Sequence, residues 1–172
     1  MMRLTRIALS TLLLWALVPA TLSAQSSDGD DLTFFEASDQ VMNAATDEAR
    51  RTLPLFLDYV LAQDGAALAG TLKVAFQTFP VDVGEEIIWV DGFRRLPNGS
   101  FTGRLSNSAV YLGNWQVGTE VSFPENDIRD WGLQSTDGRL FGNYTTRVIA
   151  AQPGNEGLWD VLTPTPLPQG WE

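Results

Sequence analysis

The stretch Glu120-Val-Ser-Phe-Pro-Glu-Asn-Asp-Ile-Arg-Asp-Trp131 is central to the predicted fold, because most turns and apolar alternations of the chain lead into or out of it. A glycine turn precedes a short strand in which Val121 and Phe123 share one face, and the proline after them ends the pairing because it has no N–H. Ile128 and Trp131 lie three residues apart, a spacing that places two side chains on one face of a helical turn. The stretch therefore predicts a corner of a small antiparallel sheet.

Upstream of this corner the sequence predicts a helix interrupted by a proline. Ser38 is a suitable N-cap, and the apolar residues that follow recur every three or four positions. Pro54 lacks a donor and its ring clashes with the carbonyl four residues earlier, so we expect a kink or two helices that end by residues 64–65. The apolar stripe consists of Val41, Ala45, Ala49, Leu53, Phe56 and Val60.

Downstream of the helix the hydrophobic period changes to two. Residues 72–76 alternate as a half-buried strand, and residues 87–90 are apolar on both faces, which predicts a position inside the sheet. Pro97-Asn98-Gly99 predicts the turn of a hairpin, and the β-branched residues of 144–149 predict a closing strand. Together these patterns predict an α+β fold, with an N-terminal kinked or broken helix packed on a bent antiparallel sheet of five or six short strands.

The first residues have the layout of a secretory signal peptide. Two arginines precede an apolar run that is too short to span a bilayer, and small residues follow up to Ala24. We expect cleavage near Ala24 and a periplasmic or secreted protein without a stable membrane anchor. The predicted organisation is a signal peptide at 1–24, a flexible acidic lead-in at 25–35, an α+β domain at 36–150 and a Pro-rich C-terminal tail at 151–172. Residues 163–171 of this tail are expected to be extended.

Composition excludes several classes of function. The chain has no cysteine and no histidine, so disulfides, Ser-His-Asp or Cys-His nucleophile systems and the usual zinc sites are ruled out. Removing the leader removes two of 11 basic and none of 21 acidic residues, which leaves a net charge of 9 − 21 = −12. Such a charge opposes binding to nucleic acid and favours neutral or basic partners. No cofactor or metal is expected.

Two carboxylates near the corner are candidates for acid–base chemistry. Asp127 and Asp130 flank Ile128 beside Trp131, and a carboxylate pair next to aromatic rings is the arrangement that a glycosidase needs. Alternatively, Asp127 caps a turn, and Asp130 accepts hydrogen bonds from the backbone or pairs with a nearby arginine. The second interpretation is favoured, because carboxylates often meet by chance in an acidic chain.

Four other residues are candidates for binding. Trp115 and Tyr111 lie in a segment divided by glycine and asparagine turns and are candidates for an anchor to a protein or glycan. Large aromatic residues more often belong to the core, but Trp115 follows a turn and is expected to be exposed. Arg94 and Arg95 follow the strand that ends near the hairpin. They are able to clamp an anionic group, although a solvated edge that prevents strand pairing is favoured.

Several ordered blocks of the sequence resemble the domain of unknown function 2314, a YegJ-like bacterial family. The resemblance spans roughly residues 41–149 and leaves the Pro-rich tail outside. It implies no activity, cofactor or catalytic residue. The blocks are residues 85–90, 101–107, 117–123, 128–131 and 142–147, with 48–56 at the front.

The function expected from the sequence is a non-enzymatic binding or interaction module. Its partner would be a protein or glycan of the cell envelope. The alternative is a cell-wall or glycan hydrolase that uses the carboxylate pair Asp127 and Asp130.

Overall fold

A computed structural model describes residues 40–61, 70–79 and 84–171. Four predictions lie outside these ranges: the signal peptide, the acidic lead-in, the Ser38 cap and a helix end at residues 64–65. No helix in the described ranges is both long and apolar enough to cross a bilayer.

The described chain forms two α-helices, six strands and two short 3₁₀ helices. The 3₁₀ helices span Glu125–Asp127 and Glu156–Val161. In chain order, the helices and strands are α1 (Gln40–Val60), β1 (Gly70–Gln77), β2 (Glu85–Arg95), β3 (Phe101–Leu105), β4 (Glu120–Phe123), β5 (Ile128–Gln134), β6 (Leu140–Gly142) and α2 (Tyr144–Ala150).

The six strands form one sheet in the order β4-β3-β2-β1-β5-β6, and all of its ladders are antiparallel. The predicted hairpin between β2 and β3 is confirmed, with Gly99 at φ 86° donating its N–H to the carbonyl of Leu96 at 2.9 Å. Two register shifts, one in the β1–β5 ladder and one in the β2–β3 ladder, bend the sheet. The predicted α+β class is confirmed.

The N-terminal helix is one continuous helix with Pro54 inside it, so the alternative of two helices is wrong. Ala49, Leu53 and Phe56 of the predicted stripe are buried, and the Phe56 ring stacks on Trp131 at a centroid distance of 4.8 Å. Val41 is 63% exposed, so the stripe begins further along the helix than predicted. The helix thus packs on the sheet mainly through its second half.

The three-residue spacing of Ile128 and Trp131 arises from a β-bulge, so the predicted helical turn is wrong. Val74 pairs with Ile128 and Lys73 pairs with Asp130, which leaves Arg129 as the extra residue in β5. The bulge returns both apolar side chains to the same face, and both are buried. The prediction of a shared face was correct, because one extra residue in a strand produces the same result as one turn of helix.

Residues 144–149 belong to α2, so the predicted closing strand is wrong. Gly142 and Asn143 have φ of 68° and 53°, which ends β6 and reverses the chain. The Asp130 carboxylate then accepts the N–H groups of Tyr144 and Thr145 at 3.2 and 2.8 Å, which would otherwise lack partners in the first turn. This cap from a distant strand overrides the β propensity of the segment.

Strand β2 lies between β1 and β3, as its apolar run predicts, but only one of its faces is fully buried. Ile88 and Val90 are inaccessible, whereas Ile87 is 39% exposed. Trp89 is half-buried and lies under the Lys73 ammonium, 5.6 Å from its ring centroid. The expectation that both faces are covered is therefore wrong.

Candidate functional site

Asp130 is a buried structural carboxylate. Its oxygens accept four hydrogen bonds, from the N–H groups of Trp131, Tyr144 and Thr145 and from the Thr145 hydroxyl, at distances of 2.7–3.2 Å. The side chain is fully enclosed. A carboxylate with these contacts joins β5 to the start of α2, and no part of it is open to solvent.

The chain's lysine, Lys73, extends the polar network around Asp130. Its ammonium donates to the Thr145 hydroxyl at 3.0 Å, and that hydroxyl donates to Asp130. Burial raises the pKa of Asp130, while the hydrogen bonds from Thr145 and the positive charge of Lys73 act in the opposite direction. The network therefore holds the buried Asp130 where β5 meets the start of α2.

Asp127 does not complete a catalytic pair. It ends the first 3₁₀ helix and is half-exposed, and its own N–H donates to the carbonyl of Pro124 at 3.1 Å. Asp130 is fully enclosed, and neither carboxylate lines one of the two grooves described below. The arrangement gives no support to a glycosidase that uses them.

A second buried carboxylate anchors the long loop between β3 and β4, residues 106–119. Glu86 is 3% exposed, and its two oxygens accept the N–H groups of Val110 and Tyr111 at 2.7 and 2.8 Å. Leu112, 8% exposed, packs into the core directly after them. These contacts fix the middle of the loop against the start of β2.

The fixed loop presents apolar side chains to solvent. Val110 is 57% exposed, and Phe79, two residues after the end of β1, is 77% exposed. The Phe79 N–H donates to the carbonyl of Tyr111 at 3.3 Å, so the three residues are neighbours. We call Phe79, Val110 and the half-buried Tyr111 the apolar patch. Exposed apolar side chains that are held together in this way are typical of an interaction surface.

Trp115 lies in the same loop but is not exposed as predicted. It is half-buried, and its ring meets Phe76 edge-on at a centroid distance of 5.4 Å. Its carbonyl accepts the N–H of Ala109 at 3.1 Å, which closes the loop and places the indole against the core. Trp115 therefore packs against the core, while Tyr111 belongs to the apolar patch.

Arg94 and Arg95 lie at the other end of β2. Arg95 pairs with Glu125 at 3.0 Å and covers the Phe101 ring at 5.0 Å, while Arg94 is exposed. Strand β1 pairs with β2 only as far as Val90. The later residues of β2 therefore have no partner strand on the β1 side among the described residues. Exposed charges there fit the role of guarding an edge.

The candidate residues predicted from sequence thus fall into separate places. Tyr111 and Trp115 share one loop, while the arginines and the two aspartates lie elsewhere. Sequence reasoning missed Phe79, Val110 and Glu86. The sequence shows that Glu86 lies at the start of an apolar strand. It does not show that this carboxylate accepts N–H groups from the loop 24 and 25 residues later.

Two shallow grooves of about 340 and 320 Å³ lie away from the apolar patch. One runs between the β5–β6 turn and the C-terminal segment, and the other lies between the end of α1 and Arg95. Neither is lined by Asp127 or Asp130. Within the described ranges, no group of three acidic residues converges on a possible metal position.

A family model described as an uncharacterized protein conserved in bacteria (DUF2314) matches residues 39–158, more than half of the chain. This match confirms the family resemblance, while the YegJ-like label stays a prediction. No curated protein and no solved structure matches the chain significantly.

Proposed function

Since the chain belongs to the bacterial family DUF2314, which is described as uncharacterized, we propose its function from the geometry. It is an exported, non-enzymatic binding module that engages a protein partner through the apolar patch. The observation that carries this proposal is the 77% exposure of Phe79 beside a loop held by the buried Glu86. An exposed ring on a preorganised support loses little entropy on binding.

The charge of the chain indicates what kind of partner the patch accepts. The mature sequence carries a net charge of 9 − 21 = −12, so its field attracts basic surfaces and repels acidic ones. The three side chains of the patch supply apolar contact area and one phenol. The proposed partner is therefore an envelope protein that presents an apolar contact within a neutral or basic surface.

The alternative of a glycan hydrolase has no support in the geometry. Its general acid or base would have to be Asp130, whose oxygens are occupied by backbone and hydroxyl donors in the interior. We therefore do not propose catalysis by this pair.

Export is the first testable part of the proposal. The chain expressed with residues 1–24 is expected in the periplasmic or extracellular fraction with a mass that lacks those residues. Intact-mass spectrometry of each fraction measures this directly. A full-length chain that stays in the cytoplasmic fraction would contradict export, although the patch could still bind a partner.

Binding is tested with the double variant Phe79→Ser/Val110→Ser. Both side chains are exposed, so the fold is expected to survive, while loss of two apolar anchors weakens capture of the partner about tenfold or more. Pull-down from envelope extract followed by quantitative mass spectrometry measures the loss.

The matched control is Leu55→Ser/Val161→Ser, which removes two exposed apolar side chains elsewhere, 40% and 49% exposed. This control is expected to retain the partner that the patch variant loses. A partner lost equally from both variants, or retained by both, would show that the apolar patch does not bind it.

A further inference from the structure

The C-terminal segment, residues 162–171, folds back onto the body of the protein. Bends at 164–167 and a turn after them replace the extended form expected for residues 163–171, so that prediction is wrong. The N–H of Gly142 donates to the carbonyl of Pro166 at 2.7 Å, and this bond draws the middle of the segment to β6. We call residues 162–171 the strap.

Strand β6 lies at one edge of the sheet, where its outward backbone groups need partners. In an antiparallel ladder every second residue turns its N–H and C=O away from the neighbouring strand. Arg139 and Asn143 face β5, because the Arg139 carbonyl accepts the N–H of Ser135 at 2.7 Å and the Asn143 N–H donates to a β5 carbonyl at 2.8 Å. Leu140 and Gly142, at the alternate positions, therefore face outward.

The strap supplies partners for these outward groups. The Leu140 carbonyl accepts the N–H and the hydroxyl of Thr163 at 3.1 and 2.9 Å, while the Gly142 N–H has its acceptor in the middle of the strap. Leu162 forms a parallel bridge with Leu140, and Leu162 and Thr163 are both buried. The first residues of the strap thus cover β6 as an added strand would.

Side chains of the body hold the strap at both ends. Arg147 of α2 donates to the carbonyls of Gly142 and Thr163 at 2.9 Å each, which ties the start of the strap to the end of β6. At the far end, the Trp171 ring lies 6.1 Å from the Trp131 ring, measured between centroids. The cover over the β6 edge is therefore fixed on both sides.

The two edges of the sheet differ in how their own sequences oppose pairing. Strand β4, at the other edge, has the exposed charge of Glu120 at its start, and Pro124 directly follows its end. Both features discourage pairing with another strand. Strand β6 is Leu140-Phe141-Gly142, which has neither a charge nor a proline. Its protection comes from the strap.

We propose that the strap covers the β6 edge and keeps the chain monomeric, and that its release exposes a pairing surface for a second copy of this chain. Unpaired N–H and C=O groups of an edge strand gain partners by pairing with another chain. A second copy fits, because two β6 edges related by a twofold axis present the same groups to each other in antiparallel order. The family match ends at residue 158, so this role belongs to a segment outside it. The inference does not depend on the apolar patch.

The full-length double variant Thr163→Pro/Trp171→Ser releases the strap at both ends. Proline has neither the N–H nor the hydroxyl that bonds to Leu140, and serine removes the indole from the Trp131 ring. The matched control is Thr163→Val/Trp171→Phe, which keeps the N–H and an aromatic ring. Light scattering after size exclusion, at 0.15 M salt, measures association while repulsion between two acidic copies is screened beyond about 8 Å.

We expect the double variant to dimerise with a Kd about tenfold or more below that of wild type, while the control matches wild type. In dilute, monomeric samples the Gly142 amide is expected to exchange its hydrogen about tenfold or more faster in the double variant, and to slow again when the variant dimerises. Equal Kd values for wild type and a folded double variant would overturn the proposal. A dimer in which the Gly142 amide still exchanges fast would overturn it too, because the contact would lie elsewhere.

Exchange in wild type gives a test that needs no variant, and it decides if the double variant does not fold by circular dichroism. A Gly142 amide that exchanges as slowly as the amides of β5 supports a closed strap. One that exchanges as fast as an amide in an exposed turn would show that the strap does not cover the edge, and would overturn the proposal.

Discussion

Replacing Asp130 with alanine is expected to lower the free energy of unfolding by about 3–5 kcal/mol. The substitution leaves the N–H groups of Trp131, Tyr144 and Thr145 without their acceptor in the interior, and it removes the negative charge that faces Lys73. Chemical denaturation followed by circular dichroism measures the change.

The matched control is Asp127→Ala, which removes a half-exposed carboxylate three residues away. It is expected to change the unfolding free energy by no more than about 0.5 kcal/mol. Similar losses from the two substitutions would contradict the assignment of Asp130 as the cap of α2.

The pKa of Asp130 adds a pH dependence to this comparison. Burial raises this pKa, so the folded protein holds the proton more tightly than the unfolded chain. The protonated Asp130 therefore stabilises the folded state. This stabilisation is fully present below a pH of about 4, the ordinary pKa of an aspartate, and is lost as pH rises through the raised pKa of the folded state. Because Asp130→Asn does not titrate, the stability gap between wild type and this variant should narrow from acid to neutral pH. A gap that widens would show that the hydrogen bonds outweigh burial.

Replacing Trp131 with alanine is the other substitution with a large expected effect, about 3–5 kcal/mol. The ring is inaccessible and stacks on Phe56, and its N–H donates to the carbonyl of Ala49 at 3.2 Å and to the hydroxyl of Thr52 at 3.1 Å. Alanine leaves a cavity where α1 meets β5. Denaturant unfolding quantifies the loss.

Trp159→Ala provides the comparison, because that indole is 44% exposed in the second 3₁₀ helix. Its removal is expected to cost less than about 1 kcal/mol. An equal loss from both tryptophans would contradict the placement of Trp131 at the centre of the core.

The parts of the fold that follow local rules were predictable from sequence. The Asn98-Gly99 turn, the alternation in β1 and the apolar stripe of α1 each depend on neighbours a few residues apart. The predictions that were wrong concern features that are fixed by distant contacts. The start of α2 is fixed by Asp130, 14 and 15 residues before the groups it caps, and the bulge at Arg129 is visible only when β5 is paired with β1.

The residues of the candidate site likewise divide into those that local sequence predicts and those that depend on distant contacts. Tyr111 was predicted from its position between turns, whereas Phe79 and Val110 carry no sequence signal that separates them from core residues. The Glu86 carboxylate accepts the backbone N–H groups of Val110 and Tyr111 and so fixes this part of the loop, a contact that the local sequence does not reveal. Trp115 was predicted to be exposed because a glycine turn precedes it, yet the closed loop places its ring on Phe76.

Binding through the apolar patch is tested most directly by a calorimetric titration of the purified partner into wild type and into Phe79→Ser/Val110→Ser, with the folded state of both checked by circular dichroism. We expect a Kd that rises about tenfold or more in the double variant and stays unchanged in Leu55→Ser/Val161→Ser. Equal Kd values for wild type and the patch variant would contradict the claim that this domain works by binding through its apolar patch.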